Sequence, residues 1–284
     1  MTLLRYTSFA CFSRGLLITA GFAVLALHVS TPVQAQEPAQ TDAADGKAFA
    51  YEVISVKPYK PDNGSGVTMW WRTTKVGFSA AGLTLQALVM GAYGLVTTEQ
   101  IEGLPSWGDS AQFTIDAKMD EDVAAAFEKL AQKDRDKQRM LMQQSMLEDR
   151  FQLKAHHEMR ERPIYELVVA KSGSKLKNAS KDAKGGWSWG ETKFTGDSVE
   201  IVGLANALSS VLGRTIVDKT GLTGHYEISL TYAPIDEDGP GHDSADAGPS
   251  IFTALEEQLG LKLVAAKGPV DTIVVDHVEK PSEN

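Results

Sequence analysis

The sequence LANALSSVLGRTIVDKTGLTGHYEISLTY, residues 204–232, carries the pattern that decides the fold. It begins as a Leu-rich helix, passes through a turn that contains Gly221 and Gly224, and ends in a segment that alternates apolar and polar residues. Each such unit has one apolar face that it cannot bury alone, so copies of it are predicted to pack against one another. Three further copies begin with LTLQAL at 83–88, LMQQSML at 141–147 and IFTAL at 251–255.

Four helix-strand-strand repeats predict an α+β fold. Two repeats precede a segment rich in Lys, Gly and Ser, residues 171–190, and two follow it. We therefore expect an internal duplication into two lobes, 49–170 and 191–284, joined by 171–190 as a linker. Each lobe is predicted to be a mainly antiparallel sheet with helices on one face. The residues predicted to be largely buried are Leu85, Leu88, Leu147, Phe151, Leu204, Leu208, Leu255 and Leu259.

The second and fourth repeats are each predicted to end in two short strands. The strands of the second repeat are expected at 151–157 and 164–169. In the fourth repeat, KGP at 267–269 is expected to form a turn before the last strand, 272–275.

The N-terminal 35 residues have the features of a secretory signal. Two arginines precede the apolar run 15–29, and a small-residue cleavage pattern ends at Ala35. The run is shorter than the roughly 20 residues that a spanning helix needs, and an uncleaved anchor is the alternative. Cleavage would leave a flexible linker, 36–48, and an extracytoplasmic protein, periplasmic or secreted, with no stable membrane span.

Charge and cysteine content argue against several classes of protein. The formal net charge of −9 at pH 7 does not favour nucleic acid, because attraction to phosphate would be reversed. The single cysteine, Cys11, lies within the predicted signal, so neither a disulfide nor a thiolate site is expected. The segment 234–249 is acidic, rich in Gly and Pro and without periodicity, so it is predicted to be a mobile loop. It lacks the ligand spacing of a calcium loop.

Several separate motifs resemble those of a known family. They are YEVISVKP at 51–58, GLPSW at 103–107, VDKTGLTGHY at 217–226 and VDHVEKPSEN at 275–284. In combination they resemble the soil-associated exported proteins of Acidobacteria, a domain of unknown function that also occurs fused to antirepressor-type membrane metallopeptidases. The resemblance covers roughly 49–284 and implies an extracytoplasmic appendage of a signalling protein, without catalytic residues. The zinc-protease pattern is absent, because HEMRE at 157–161 lacks the second histidine.

Short patterns that suggest an enzyme stand in the wrong local context. SGSK at 172–175 and KTG at 219–221 match parts of the penicillin-binding and β-lactamase signature, but the first runs into a polar loop and the second lies in a turn. His156 and His157 are neighbours on a predicted strand and point to opposite faces, so they cannot bind one metal ion together. No catalytic residue, metal site or cofactor is predicted.

Two tryptophan pairs are the candidate binding residues, Trp70 with Trp71 and Trp187 with Trp189. They lie outside the repeats, and exposed aromatic groups suit sugar, peptide or protein surfaces. The alternative is that they cover the ends of the sheets. The sequence thus predicts a non-enzymatic binding or sensing module that recognises an envelope protein, a peptide or a glycan. An exported hydrolase with a site at strand ends and a structural envelope component are the alternatives.

Overall fold

The computed structural model describes residues 49–60, 69–235 and 248–281. The predicted signal and linker, and residues 236–247 of the predicted acidic loop, lie outside the described residues. The described ranges form a mixed α+β fold with five helices and three mainly antiparallel sheets. The predicted fold class is therefore confirmed.

Twelve strands and five helices follow one another along the described chain. The strands are β1 (Val53–Pro58), β2 (Trp70–Thr74), β3 (Gly77–Thr84), β4 (Ile101–Glu102), β5 (Gln112–Lys118), β6 (Lys154–Val169), β7 (Lys177–Asn178), β8 (Trp187–Trp189), β9 (Lys193–Val199), β10 (Ile216–Asp218), β11 (Tyr226–Thr231) and β12 (Leu261–His277). The helices are α1 (Leu85–Tyr93), α2 (Glu121–Phe127), α3 (Gln132–Phe151), α4 (Ile201–Leu212) and α5 (Ile251–Ala254), which continues as a π-helical segment, Leu255–Leu259.

Two of the sheets have the same internal arrangement. One has the strand order β1-β5-β3-β2 and the other has the order β7-β11-β9-β8, with antiparallel neighbours throughout. Helix α1 follows β3 in the first sheet, as α4 follows β9 in the second. The tryptophan-bearing strands β2 and β8 are both edge strands. Duplication into the lobes 49–170 and 191–284 stays a prediction.

The third sheet is built on a long two-stranded ribbon. Strands β6 and β12 pair antiparallel along their full lengths, and β10 and β4 each add a short parallel strand to one side. The prediction of two short strands in the second and fourth repeats is therefore wrong. Segments 154–157 and 164–169 belong to one strand, β6, while Phe151 ends α3. The predicted turn at 267–269 is part of the continuous strand β12.

The two prolines within the ribbon, Pro163 and Pro269, lie where a strand can hold them. The amide of Tyr165 donates to the carbonyl of Thr215 at 3.0 Å, on the side of β6 away from β12. The nitrogen of Pro163, two residues earlier, faces the same outer side. Pro163 pairs with Lys267 in the register, so Pro269, two residues further along β12, also directs its nitrogen outward. Neither proline costs the ribbon a ladder bond.

The ribbon connects two apolar cores. The core beneath the first sheet includes Ile273 and Val275 of β12, and the core beneath the second includes Leu167 of β6. The core beneath the first sheet thus contains β12 residues from the far end of the sequence, and the core beneath the second sheet contains a β6 residue that precedes all strands of that sheet. All eight residues predicted to be buried have relative exposures of 5% or less, which confirms the apolar helix faces.

Helix α1, which borders the candidate site, has the ends that its sequence predicts. The hydroxyl of Thr84 accepts a hydrogen bond from the amide of Ala87 at 3.2 Å and so satisfies a free N–H of the first turn. Gly94 ends the helix in the left-handed region, with a φ of 64°.

Candidate functional site

The four candidate tryptophans lie on the edge strands of two different sheets. Trp70 and Trp71 begin β2 and are 41% and 64% exposed, whereas Trp187 on β8 is 60% exposed and Trp189 is half-buried. Trp71 and Trp187 border different clefts. The two pairs therefore do not form one shared binding surface around a single cleft.

On β8, the two tryptophans differ in how far they are tied to the core. The ring of Trp189 lies 4.9 Å from Phe194 and 5.9 Å from Tyr232. Burial raises the pKa of Tyr232, and the neighbouring Trp189 side chain partly offsets this increase. Trp187 stacks on Phe194 at 5.9 Å but remains largely exposed. Trp189 is thus a packing residue.

On β2, the two tryptophans point to opposite faces of the sheet, as neighbours on a strand must. Trp70 shares its face with Arg72, whose guanidinium carbon lies 5.7 Å from the centre of the Trp70 ring. Trp71 shares the other face with Met69 and Thr73, and all three line a groove. This groove is the strongest candidate for a binding site.

The β2 groove has a volume of about 740 Å³, within the range of ligand sites. It lies between the edge of the first sheet and the helices α1, α3 and α4. Among the residues that the structure describes, none with an ionisable side chain lines it. The lining residues are Met69, Trp71, Thr73, Phe78, Leu83, Ala87, Leu88, Met90, Gly91, Gly94, Leu95, Gln143, Met146 and Ser210.

The groove has a buried apolar floor and an exposed apolar rim. Leu88 and Met146, at the floor, are 5% and 1% exposed, while Met69 and Trp71, at the rim, are 58% and 64% exposed. Methionines stand at both levels, and their flexible thioether side chains adapt to irregular partners. The few hydrogen-bonding groups are neutral, such as the amide of Gln143. The lining therefore suits an uncharged, apolar group.

The backbone of β2 adds polar groups along the open side of the groove. Thr74 and Gly77 flank a two-residue loop between β2 and β3 and pair with each other. In such a hairpin the pair that closes the loop, here Thr74 and Gly77, exchanges two backbone hydrogen bonds. The N–H and C=O groups of successive residues then point alternately toward the partner strand and away from it. The N–H and C=O groups of Trp71 and Thr73 therefore point away from β3. Since β2 is an edge strand, no strand of the described chain pairs with them.

The other chemical groups that the sequence suggested have structural partners. Lys175 of the SGSK motif donates from Nζ to the carbonyl of Glu257, in the middle of the π-helical segment, at 2.5 Å. Four histidines on the strands or beside them pair with nearby carboxylates: His156 with Asp276, His157 with Asp271, His225 with Glu200 and His277 with Glu279. Across residues 49–60, 69–235 and 248–281, no three His, Cys, Asp or Glu side chains come together as a metal site would require.

Sequence reasoning identified Trp71 but missed the groove around it. The missed residues include Met69, which directly precedes β2, and Gln143 and Ser210 on distant helices. The period of two along Met69, Trp71 and Thr73 is a local signal that they share one face. No local signal links them to the helices.

The fold and the groove define a mixed α+β domain with an uncharged cleft beside a free sheet edge. The chain belongs to DUF3738, a family of proteins of unknown function, whose model matches residues 86–278. The predicted resemblance to a domain of unknown function is thereby confirmed, while the taxon, the soil association and the fusion partners stay predictions. The match includes Trp187 and Trp189 and excludes β2. No curated protein and no solved structure matches the chain. Among the helices of the described ranges, none combines the length and apolarity needed to span a bilayer.

Proposed function

We propose that the protein is a non-enzymatic binding module that acts outside the cytoplasm and holds an uncharged, apolar group of its ligand in the β2 groove. The extracytoplasmic part of the proposal rests on the signal-like pattern of residues 1–35. The binding part rests on the groove.

One observation carries the binding function. Met69 and Trp71 leave most of their surface exposed at the rim of a cleft whose floor is buried and whose lining, within the described part of the chain, includes no ionisable side chain. A tryptophan presents roughly 150–250 Å² of surface, and burial of apolar surface contributes about 25 cal/mol per Å². A ligand that covers this rim would therefore gain several kcal/mol, as is typical of binding hot spots centred on tryptophan.

The test is binding of Nile red, an uncharged apolar fluorophore, to the purified protein. We expect enhanced, blue-shifted emission and a Kd that rises at least about tenfold in Trp71→Ala. Trp70→Ala is the matched control, because it removes the neighbouring indole from the opposite face of β2. Ser210→Trp, which places a large side chain into the groove from α4, should also block binding.

Equal weakening by Trp70→Ala and Trp71→Ala would contradict the assignment of the groove. So would unchanged binding in Ser210→Trp, provided that the variant keeps the thermal stability of the parent protein.

A further inference from the structure

We propose that the natural occupant of the β2 groove is an extended polypeptide segment of a partner protein that adds to the sheet as a new strand beside β2. This inference rests on the proposed binding function of the groove and names the chemical class of its ligand.

The backbone of β2 favours a polypeptide as the occupant of the groove. Trp71 and Thr73 direct their N–H and C=O groups toward the free edge, and backbone groups of this kind are a template for another strand. A polypeptide matches them with its own alternating donors and acceptors, as in other cases of strand addition. A lipid chain has no donors or acceptors to offer.

The alternation of backbone direction along β2 coincides with the alternation of its side-chain faces. The residues of β2 whose backbone faces the free edge, Trp71 and Thr73, are also those whose side chains line the groove. A strand paired with them would direct every second side chain toward the same face. The partner segment should therefore carry apolar residues at alternate positions, which the groove covers.

Within the described residues, β2 lacks the protection that edge strands usually have. Natural edge strands avoid pairing by means of proline, bulges, inward-pointing charges or very short length. Strand β2 has five residues, all exposed, and pairs with β3 in regular register from Trp70 to Thr74. Its only charged residue is Arg72, which lies on the face away from the groove. An edge left open in this way is suited to a partner.

The net charge of the protein predicts one further property of the partner segment. The chain has a formal net charge of −9, and no charged side chain of the described ranges lines the groove. Long-range attraction therefore favours a segment with basic residues at its ends, while its centre stays apolar.

The probe is a synthetic peptide of about seven residues with valine or leucine at alternate positions and lysine at both ends. The control is a peptide of the same sequence that is methylated at the backbone nitrogens that would face β2. It keeps all side chains and loses the N–H groups that would donate hydrogen bonds to β2. We expect the parent peptide to bind and to displace Nile red, and the methylated peptide to bind at least about tenfold more weakly.

Thr73→Pro is the sharpest variant of the protein. Its nitrogen faces the free edge, so proline removes an outward donor without breaking a bond to β3. We expect Thr73→Pro to bind the peptide at least about tenfold more weakly than the parent protein does. Trp70→Ala, which changes the face of β2 away from the groove, should bind both the peptide and Nile red as the parent protein does.

Equal binding of the two peptides would overturn strand addition and leave the groove as a site for apolar groups. Binding of Nile red without binding of either peptide would have the same consequence. Absence of both kinds of binding would overturn the proposed function as well. If the edge amides of the free protein are already protected from exchange, a segment of this chain occupies the edge, and the proposal of a partner fails.

Discussion

The ring of Trp189 packs against the ring of Tyr232, with 5.9 Å between the ring centres. The hydroxyl of Tyr232 in turn donates to the carbonyl of Gly190 at 3.0 Å. This chain of contacts fixes Trp189 at the edge of the core. Trp187, two residues earlier on the same face of β8, stacks on Phe194 and stays 60% exposed. The two indoles should therefore contribute differently to stability.

We expect Trp189→Ala to lower the free energy of unfolding by about 2–3 kcal/mol, somewhat less than the roughly 3–5 kcal/mol typical of a fully buried tryptophan. Trp187→Ala should cost less than about 1 kcal/mol, since most of its ring is in water. Urea unfolding followed by far-UV circular dichroism measures both values. Similar losses in the two variants would contradict the division of the pair into packing and exposed residues.

Gly213 and Gly260 form a matched pair for testing the helix ends. Both have positive φ angles, 63° and 64°, after α4 and after the π-helical segment. A Cβ at Gly213 would meet no atom within 4 Å, whereas one at Gly260 would lie 2.1 Å from the carbonyl oxygen of Gly173. Gly213→Ala should cost about 1–2 kcal/mol from backbone strain alone, and Gly260→Ala should cost clearly more. Equal melting temperatures of the two variants would contradict the close approach at Gly260.

The buried helix faces predict the cost of truncation in the second core. Leu208→Ala and Leu255→Ala should each cost about 2–5 kcal/mol, because both leucines are fully buried. Val202→Ala is the control on α4, since Val202 is 52% exposed and should cost less than about 1 kcal/mol. Chemical denaturation gives the three values, and a loss below about 1 kcal/mol for either leucine would show that the core is misassigned.

The stability of the protein should fall at alkaline pH partly because of Tyr51. Burial raises the pKa of Tyr51 well above its ordinary value of 10.0, and the nearby Arg139 guanidinium lowers it only in part. Above that ordinary value the unfolded chain loses the phenolic proton while the folded chain keeps it, so unfolding becomes more favourable as the pH rises. The contribution is fully present below pH 10.0 and is lost above it.

The variant Tyr51→Phe separates this contribution from those of other groups. Its free energy of unfolding should decline less steeply between pH 9 and 11 than that of the parent protein. Parallel declines in a urea-unfolding series would show that Tyr51 titrates alike in both states.

The sequence was sufficient for those parts of the fold that depend on local periodicity. The helix faces around Leu85 and Leu208 follow a period of 3.6, and Thr84 and Gly94 are local signals for the ends of α1. The turn between Asp218 and Tyr226 is also local, and the structure has it between β10 and β11.

The central ribbon could not be predicted from local patterns because its two strands pair across the chain. Residues Lys154 and His277 are register partners although more than a hundred positions separate them. Glycine and proline at 268–269 gave a turn signal that the antiparallel pairing overrides, since the proline nitrogen faces the open side of the ribbon.

The candidate site was predicted by residue type alone. Composition and surroundings singled out Trp71, but the groove needs side chains from β2, β3, α1, α3 and α4. The same reasoning could not separate Trp71 from Trp70, because the face of a residue on a strand is fixed only once the pairing is known.

Amide hydrogen exchange of β2, followed residue by residue by NMR with and without the lysine-flanked peptide, tests the central claim most directly. The amides of Trp71 and Thr73 face the free edge, whereas those of Arg72 and Thr74 are bonded to β3 in the free protein. We predict that the peptide slows exchange at Trp71 and Thr73 at least about tenfold and leaves Arg72 and Thr74 nearly unchanged. Saturating peptide that slows exchange elsewhere and leaves Trp71 and Thr73 unprotected would contradict the account.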